Sequence, residues 1–398
     1  MPEAIALDAP RPVTGSRVEQ FGLFALMGVA GALQFSIAAA QILLAVAVLC
    51  WLTLLVTRRE RLVVPFVFWP LLAYAAITLV STAFSPHPLT SLYQGKQLLL
   101  LVLVPLTCRF MTGRRPLTMM TVILTCAAVS AAVGIVQYGI LHYDNLGQRP
   151  QGTLGHYMTY SGLLMLVIGV ALARVLFGRG ERTWAALVMP ALAVAVALTF
   201  TRGAWVGACV ATALLLSLKD FRLLAVLPIA AALFFALAPA TLTTRFVSMF
   251  DLKDPTVSDR VTMLRIGERM IRAHPLAGIG PNMVQRLYVD YRGQDALAGP
   301  DGVEHVNPHL HNNYLQIAAE RGLPALAVWL WFIVGLLVAL ARRFHQADDR
   351  FVPAAALAAV AAMLAAGLFE YNFGDSEFLM LFLMLVTLPF AAARSAPA

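Results

Sequence analysis

The sequence predicts an all-α protein that crosses a membrane about twelve times. Sixty per cent of its 398 residues are apolar and only 13% are charged, whereas a water-soluble protein of this length needs far more polar surface. The apolar residues fall in runs of about 20, the length with which an α-helix spans a bilayer. Basic residues gather in alternate loops between these runs, as expected for a polytopic membrane protein.

The runs divide the chain into successive spanning helices. We predict these helices at 21–36, 39–56, 63–82, 96–112, 117–141, 158–176, 183–200, 203–218, 222–240, 323–341, 352–369 and 376–392. Residues 1–398 are expected to form a single membrane domain. The polar, proline-containing start does not have the pattern of a cleavable signal peptide.

The basic loops set the orientation. One set of loops carries "TRRER" (57–61), "TGRR" (112–115), "GRGER" (178–182), "KDFR" (219–222) and "ARRFHQADDR" (341–350). The opposite short loops carry almost no positive charge, so we expect both termini to be cytoplasmic and the other face to be periplasmic or external. The net charge of +8 reflects this topology and does not indicate nucleic-acid binding.

Two arginines stand out on the outer face. Arg149 lies among turn-forming residues in "NLGQRPQGTLGHYMTYSG" (145–162), and an ordinary connecting loop is the alternative to a binding role. Arg202 lies at a membrane boundary, where a charge can simply reach the lipid headgroups. The glycine that follows Arg202 allows another group to approach the backbone closely, so we favour a binding role for this arginine.

Residues 241–322 form a long polar loop between predicted helices nine and ten, which we expect on the periplasmic face, and loops of this length are usually functional. Within it, "SDRVTMLRIGERMIRAHPLAGIGPN" (258–282) predicts an amphipathic helix capped by Ser258. Arg265, Arg269 and Arg272 share one arc, and Met263, Leu264, Ile266, Met270 and Ile271 occupy the opposite arc. The arginines could meet lipid phosphates, or grip a phosphorylated substrate through their planar forks.

The end of this connection holds "EHVNPHLHNNYLQIAAERGLP" (304–324). Asn307 and Pro308 predict a helix start, and Gly322 with Pro324 predicts its end. His311 would then lie in or just after the first turn, where a neutral imidazole is favoured and could act as a general base. Capping and packing, a metal site from His305, His309 and His311, and a proton relay are the alternatives.

The last polar stretch is "FEYNFGDSEF" (369–378), between helices eleven and twelve. Glu370, Asn372 and Asp375 could orient the arginines or a substrate, although a solvated loop is equally compatible with the sequence.

In this order the motifs resemble the O-antigen ligase family, within the superfamily that also holds O-antigen polymerases and protein O-oligosaccharyltransferases. An arginine about fourteen residues before His-Pro-x-x-Gly-x-Gly is matched by Arg260 and by residues 274–280. His-Asn-x-x-Leu is matched by His311, Asn312 and Leu315. Arg-Gly is matched by residues 202–203, and Arg-x-x-Gly-Thr by residues 149–153.

The resemblance implies a glycosyltransferase of the bacterial inner membrane with a periplasmic active site. Its donor would be an O-antigen linked through diphosphate to undecaprenol, and its acceptor a sugar hydroxyl of the lipid A–core. The transfer would invert the anomeric centre and complete lipopolysaccharide. Membrane lipids are the other expected partners. No metal or other cofactor is expected, so EDTA should leave activity intact.

The residues and the resemblance together assign the expected roles. His311 is the predicted general base, and Arg202 and Arg260 are the predicted catalytic arginines. We expect substrate contacts from Arg149, Arg265, Arg269, His309, Asn312, Asn372 and Asp375. An O-antigen polymerase or a protein O-oligosaccharyltransferase is the alternative within the superfamily, and a lipid-linked sugar transporter is the alternative outside it.

Overall fold

The computed structural model describes residues 17–60, 62–251, 255–293 and 306–393. Regular structure within these residues is helical, without strands. Seven helical stretches in them are long and apolar enough to span a membrane: Ile37–Arg58, Phe66–Ala83, Pro88–Phe110, Arg115–Gly139, Tyr157–Phe177, Arg202–Lys219 and Asn313–Gln346. Shorter apolar helices cover Arg182–Leu198, Phe221–Leu237, Phe351–Ala366 and Ser376–Ala392. The chain is therefore a polytopic membrane protein whose described part is helical, and the number of crossings stays a prediction.

The α-helices are numbered in chain order. They are α1 (Arg17–Ala32), α2 (Ile37–Arg58), α3 (Trp69–Ala83), α4 (Pro88–Gln94), α5 (Leu103–Phe110), α6 (Arg115–Gly139), α7 (Tyr157–Phe177), α8 (Arg182–Leu198), α9 (Arg202–Lys219), α10 (Val226–Leu237), α11 (Ala240–Val247), α12 (Pro255–Ala273), α13 (Val284–Arg292), α14 (Asn313–Gln346), α15 (Phe351–Ala366) and α16 (Ser376–Ala392). A 3-10 segment, Gly95–Val102, joins α4 to α5.

The core of the bundle is built around α7, α15 and α16. Leu379–Ala391 of α16 is buried throughout, and α15 packs against both α7 and α9. Small residues permit the close packing: a Cβ on Gly169 of α7 would lie 3.1 Å from the Cβ of Ala358 in α15. Helices in a membrane associate through such small-residue contacts, because lipid and side chains are equally apolar.

The periphery presents apolar side chains outward. Val56 on α2, Leu237 on α10 and Phe66 before α3 are each 78–80% exposed. Surfaces of this kind are costly in water and suit contact with lipid.

The long connection folds into α11, α12 and α13 within its described residues. Met263, Ile266 and Met270 of α12 are buried in a separate apolar cluster, which confirms most of the predicted apolar face. Leu264, predicted to lie on that face, is 53% exposed. The predicted cap at Ser258 is wrong, because α12 already includes Pro255.

The predicted helix start at Asn307 and Pro308 is also wrong. Helix α14 begins at Asn313, and its cap is Asn312, whose backbone is extended at φ −156°. His311 has a left-handed backbone at φ 46°, which is incompatible with a continuing α-helix. The predicted stop at Gly322 coincides with a break inside α14, where the glycine has φ 82°.

Candidate active site

A cavity of about 160 Å³ lies at one end of the helix bundle. Residues at the start of α7, the start of α9, the end of α15 and the start of α16 line it, together with the loop before α14. Arg174, near the other end of α7, lines a different cavity together with Arg114 and Arg179 of two basic loops. Helix α7 has 21 residues, or about 32 Å at 1.5 Å per residue. The first cavity and these basic loops therefore lie at opposite ends of the bundle.

A single carboxylate joins two of the predicted catalytic residues. Glu370 Oε2 lies 3.2 Å from His311 Nδ1, and Glu370 Oε1 lies 3.2 Å from an Arg260 guanidinium nitrogen. The side chains of Glu370, His311 and Arg260 are 13%, 20% and 22% exposed, so water screens this cluster only partly. Three residues that are distant in the sequence thus form one connected group.

The carboxylate assigns a tautomer to the imidazole. An ionised carboxylate only accepts hydrogen bonds, so the His311 nitrogen that faces Glu370 carries the proton. The other ring nitrogen, Nε2, then has its lone pair available. Because His311 lines the cavity, this geometry suits a base that accepts a proton from a group bound there.

Gly203 of the Arg202–Gly203 pair, at the start of α9, packs against Glu370 of this cluster. A Cβ on Gly203 would lie 2.9 Å from Glu370 Cγ, which confirms the expectation that the glycine allows a close approach. Arg202 is only 4% exposed and donates a hydrogen bond to Ser248 Oγ. Its neighbours Thr201 and Ala204 line the cavity, so Arg202 lies beside the cavity rather than in its described lining.

The His-Asn-x-x-Leu element has a direct structural explanation. Asn312 caps α14 by accepting the Leu315 backbone N–H at 2.9 Å, and its amide donates to Leu368 O at 3.0 Å. The Leu315 side chain packs against α12 so closely that a Cβ on Gly267 would lie 2.6 Å from Leu315 Cδ2. The element thereby fixes the loop that carries His311 against both α12 and the segment that carries Glu370.

The glycines of the His-Pro-x-x-Gly-x-Gly element serve backbone packing. Gly278 and Gly280 have φ values of 70° and 97°, in a region that L side chains rarely adopt. The N–H groups of Ile279 and Gly280 each donate at 2.9 Å, to Ala319 O and Glu320 O of α14. This element therefore anchors the connection after α12 onto α14, and so helps to position Arg260.

A second histidine of the same loop, His309, lies close to Tyr371. Its ring centroid is 5.5 Å from that of Tyr371, and it lines the cavity. Burial lowers the pKa of the His309 imidazole to about 4, and the neighbouring His311 and His156 act in the same direction. His309 is therefore neutral at physiological pH.

Residues 187–330 match the family model for O-antigen ligase. No curated protein matches the chain. The match confirms the resemblance to the O-antigen ligase family over this central part of the chain, and it contains both Arg260 and His311.

Not every predicted contact residue falls inside the O-antigen ligase match. Arg149, Asn372 and Asp375 lie outside it. Asn372 and Asp375 nevertheless line the cavity. Asn372 Oδ1 accepts a hydrogen bond from the Asn313 amide at 2.6 Å, and Asp375 caps α16 through the Phe378 N–H at 2.9 Å. Arg149 stacks 4.3 Å over the ring of Tyr157, next to the cavity residue His156.

The arginine arc of α12 points to different places. Arg269 donates to the backbone oxygens of Tyr291 and Arg292, at 3.0 and 2.6 Å, and so holds the end of α13. Arg272 pairs with Glu268 one turn away on the exposed face. Arg265 is exposed. None of these three is among the described cavity-lining residues.

The sequence leaves open a metal site built from His305, His309 and His311. Among the described residues, no three His, Cys, Asp or Glu side chains lie close enough together to hold a metal ion. His305, one member of that hypothetical set, lies outside the described residues.

Three of the residues that line the cavity were not predicted as catalytic or substrate-contact residues. Glu370 was predicted only to orient the arginines or a substrate, and no role was predicted for His156. Thr159, whose hydroxyl donates to Asp375 Oδ2, gave no signal of its own. The acidic cluster in "FEYNFGDSEF" was the available sign that this connection carries functional groups.

Proposed function

We propose that this protein is an O-antigen ligase, which transfers a polysaccharide from undecaprenyl diphosphate to a sugar hydroxyl of the lipid A–core. The observation that carries the proposal is the bridging position of Glu370 between His311 and Arg260. The bridge places a candidate base and a candidate phosphate-binding cation on either side of one carboxylate. The O-antigen ligase match over residues 187–330 supports the class of reaction.

The donor's diphosphate needs positive charge. Arginine suits this task, because its planar fork donates two hydrogen bonds to phosphate oxygens and stays protonated. Arg260 pairs with Glu370 at 3.2 Å, and Arg202 precedes Gly203, which packs against Glu370. In our proposal they neutralise the charge that develops on the leaving diphosphate, which is a form of electrostatic catalysis.

The acceptor needs a base. His311 Nε2 removes the proton from the acceptor hydroxyl, and the oxygen attacks the anomeric carbon of the donor. The bond from that carbon to the diphosphate oxygen breaks as the new glycosidic bond forms, so the anomeric centre inverts. Glu370 stabilises the imidazolium that results, as the carboxylate does in other His–carboxylate pairs.

The position of the cavity in the bundle supports a periplasmic active site. The cavity lies at the end of the bundle opposite the basic loops that contain Arg114 and Arg179. Short loops rich in Lys and Arg stay in the cytoplasm. We therefore place the protein in the bacterial inner membrane with cytoplasmic termini, where both lipid substrates can reach the cavity from the outer leaflet.

A defined reaction tests the proposal. Purified protein in lipid nanodiscs is supplied with an undecaprenyl-diphosphate-linked glycan and the lipid A–core, and the products are identified by mass spectrometry. A ligase joins the glycan to the core. Extension of one lipid-linked glycan by another, with the core left unmodified, would instead identify a polymerase. Absence of any transfer would contradict both assignments.

A further inference from the structure

The charged groups that line the cavity are opposite in sign to the arginines beside it. Its described lining includes two carboxylates, Glu370 and Asp375, and three histidines, but no lysine or arginine. His309 is neutral at physiological pH because its pKa is about 4. A diphosphate in such a cavity would face carboxylate charge without a lining cation, which is unfavourable because water screens the like charges only partly.

The cavity offers what an uncharged sugar ring requires. Asp375 Oδ2 accepts the Thr159 hydroxyl, and Oδ1 accepts the Phe378 N–H. Carboxylate oxygens have further lone pairs for sugar hydroxyls. His156 Nδ1 lies 3.3 Å from the Thr159 hydroxyl on the same wall. The volume of about 160 Å³ leaves room for a sugar ring.

The position of the base indicates whether the sugar in the cavity belongs to the donor or to the acceptor. His311 lines the cavity, and the carboxylate that orients it lies between the imidazole and Arg260. A general base must be within hydrogen-bond reach of the proton that it removes. The hydroxyl that reacts therefore belongs to the molecule inside the cavity, and the diphosphate belongs on the arginine side of Glu370.

We propose that the wall formed by His156, Thr159 and Asp375 binds the acceptor, and that it selects an acceptor ring without a phosphate. The diphosphate of the donor stays outside this cavity, beside Arg202 and Arg260. This inference rests on the proposed function, since it assigns the two substrates of that reaction to separate parts of one site. It also predicts that a ring carrying a phosphate is a poor acceptor, because Asp375 repels the phosphate.

The test separates acceptor binding from donor binding. Asp375→Asn keeps a good helix cap but removes the negative charge. We expect the KM for the lipid A–core to rise about tenfold, since a hydrogen bond to a charged group is weakened, with the KM for the lipid-linked donor unchanged. We expect Arg260→Lys to raise the KM for the donor instead. An equal rise of the donor KM in Asp375→Asn would overturn the inference, because it would place the donor in the cavity.

A matched control and a binding measurement complete the design. Asp220→Asn makes the same chemical change at another capping aspartate, at the far end of the 18-residue helix α9, and should leave both KM values unchanged. Direct binding of the lipid A–core to unmodified protein and to Asp375→Asn does not depend on transfer. Weaker binding to the variant supports the inference even if the transferred glycan differs from the one proposed, and equal binding contradicts it.

An acceptor analogue with an added negative charge gives an independent readout. An analogue with a phosphate on the reacting ring should react poorly with the unmodified protein and relatively better with Asp375→Asn. If the phosphorylated and unphosphorylated acceptors react equally well in both proteins, the proposed selection against phosphate is wrong.

Discussion

Glu370 Oε2 lies 3.2 Å from His311 Nδ1, although 58 residues separate the two positions in the chain. The pair faces a cavity on one side, and Glu370 binds Arg260 on the other. This arrangement makes Glu370 the residue that couples the predicted base to the predicted phosphate-binding cation.

Replacement of Glu370 should reduce catalysis with little effect on folding. In Glu370→Gln the amide oxygen can face only one of the two donors, and the negative charge that stabilises the His311 imidazolium is lost. We expect kcat to fall by roughly 10²- to 10⁴-fold, measured with saturating substrates. Glu268→Gln, on the exposed face of α12, is the matched control. A Glu370→Gln protein with normal kcat would exclude a coupling role.

The contact between Gly203 and Glu370 gives a second prediction. A Cβ at position 203 would lie 2.9 Å from Glu370 Cγ, so Gly203→Ala must displace the carboxylate from His311. A displacement of about 1 Å can reduce catalysis about 10²-fold, and we expect a loss of this order in single-turnover rates. Gly139→Ala in α6, where a Cβ meets nothing within 4 Å, should be neutral. Equal activities of the two variants would refute this account of the Arg-Gly pair.

The backbone at Gly278 predicts a change in stability. The residue has φ 70°, and a Cβ would lie 2.3 Å from the Glu320 carbonyl carbon. We expect Gly278→Ala to destabilise the protein by at least about 1–3 kcal/mol, seen as a lower Tm in detergent. Gly180→Ala, where a Cβ meets nothing within 4 Å, is the control. An unchanged Tm for Gly278→Ala would show that the two segments are not packed as described.

His309 predicts a pH dependence of stability. Its pKa falls from 6.5 to about 4 on folding, so the unfolded state binds more protons between these values. The contribution of His309 to stability is fully present above pH 6.5 and is lost as the pH falls toward 4. We expect His309→Gln to flatten the decrease of Tm between pH 6.5 and pH 4. A decrease of the same size in this variant would exclude His309 as its source.

The sequence predicted the parts of the fold that depend on local composition. Apolar runs located most of the spanning helices, because burial in lipid requires about 20 apolar residues whatever their partners are. The pattern of Met263, Ile266 and Met270 likewise predicted the buried face of α12. Boundaries that depend on tertiary contacts were less predictable: Asn312, rather than Asn307, caps α14.

The candidate site likewise has features that depend on local sequence and features that depend on tertiary contacts. His311 was predicted from a local cluster of polar groups and from a motif, and one short stretch of sequence contains both features. The role of Glu370 could not be predicted, because it depends on a contact between the loop before α14 and the connection after α15. The α14 boundary has a similar cause: the Asn313 N–H donates to Gly367 O at 2.7 Å, so the helix starts where these two segments meet.

The most direct test of the account is the transfer activity of His311→Ala, with purified protein, a lipid-linked glycan and the lipid A–core. His345→Ala, an exposed histidine near the other end of α14, is the control, and a cooperative melting transition shows that each variant is folded. We predict that His311→Ala loses transfer by at least roughly 10²-fold, while His345→Ala keeps it. Near-normal product from folded His311→Ala would contradict the assignment of His311 as the general base.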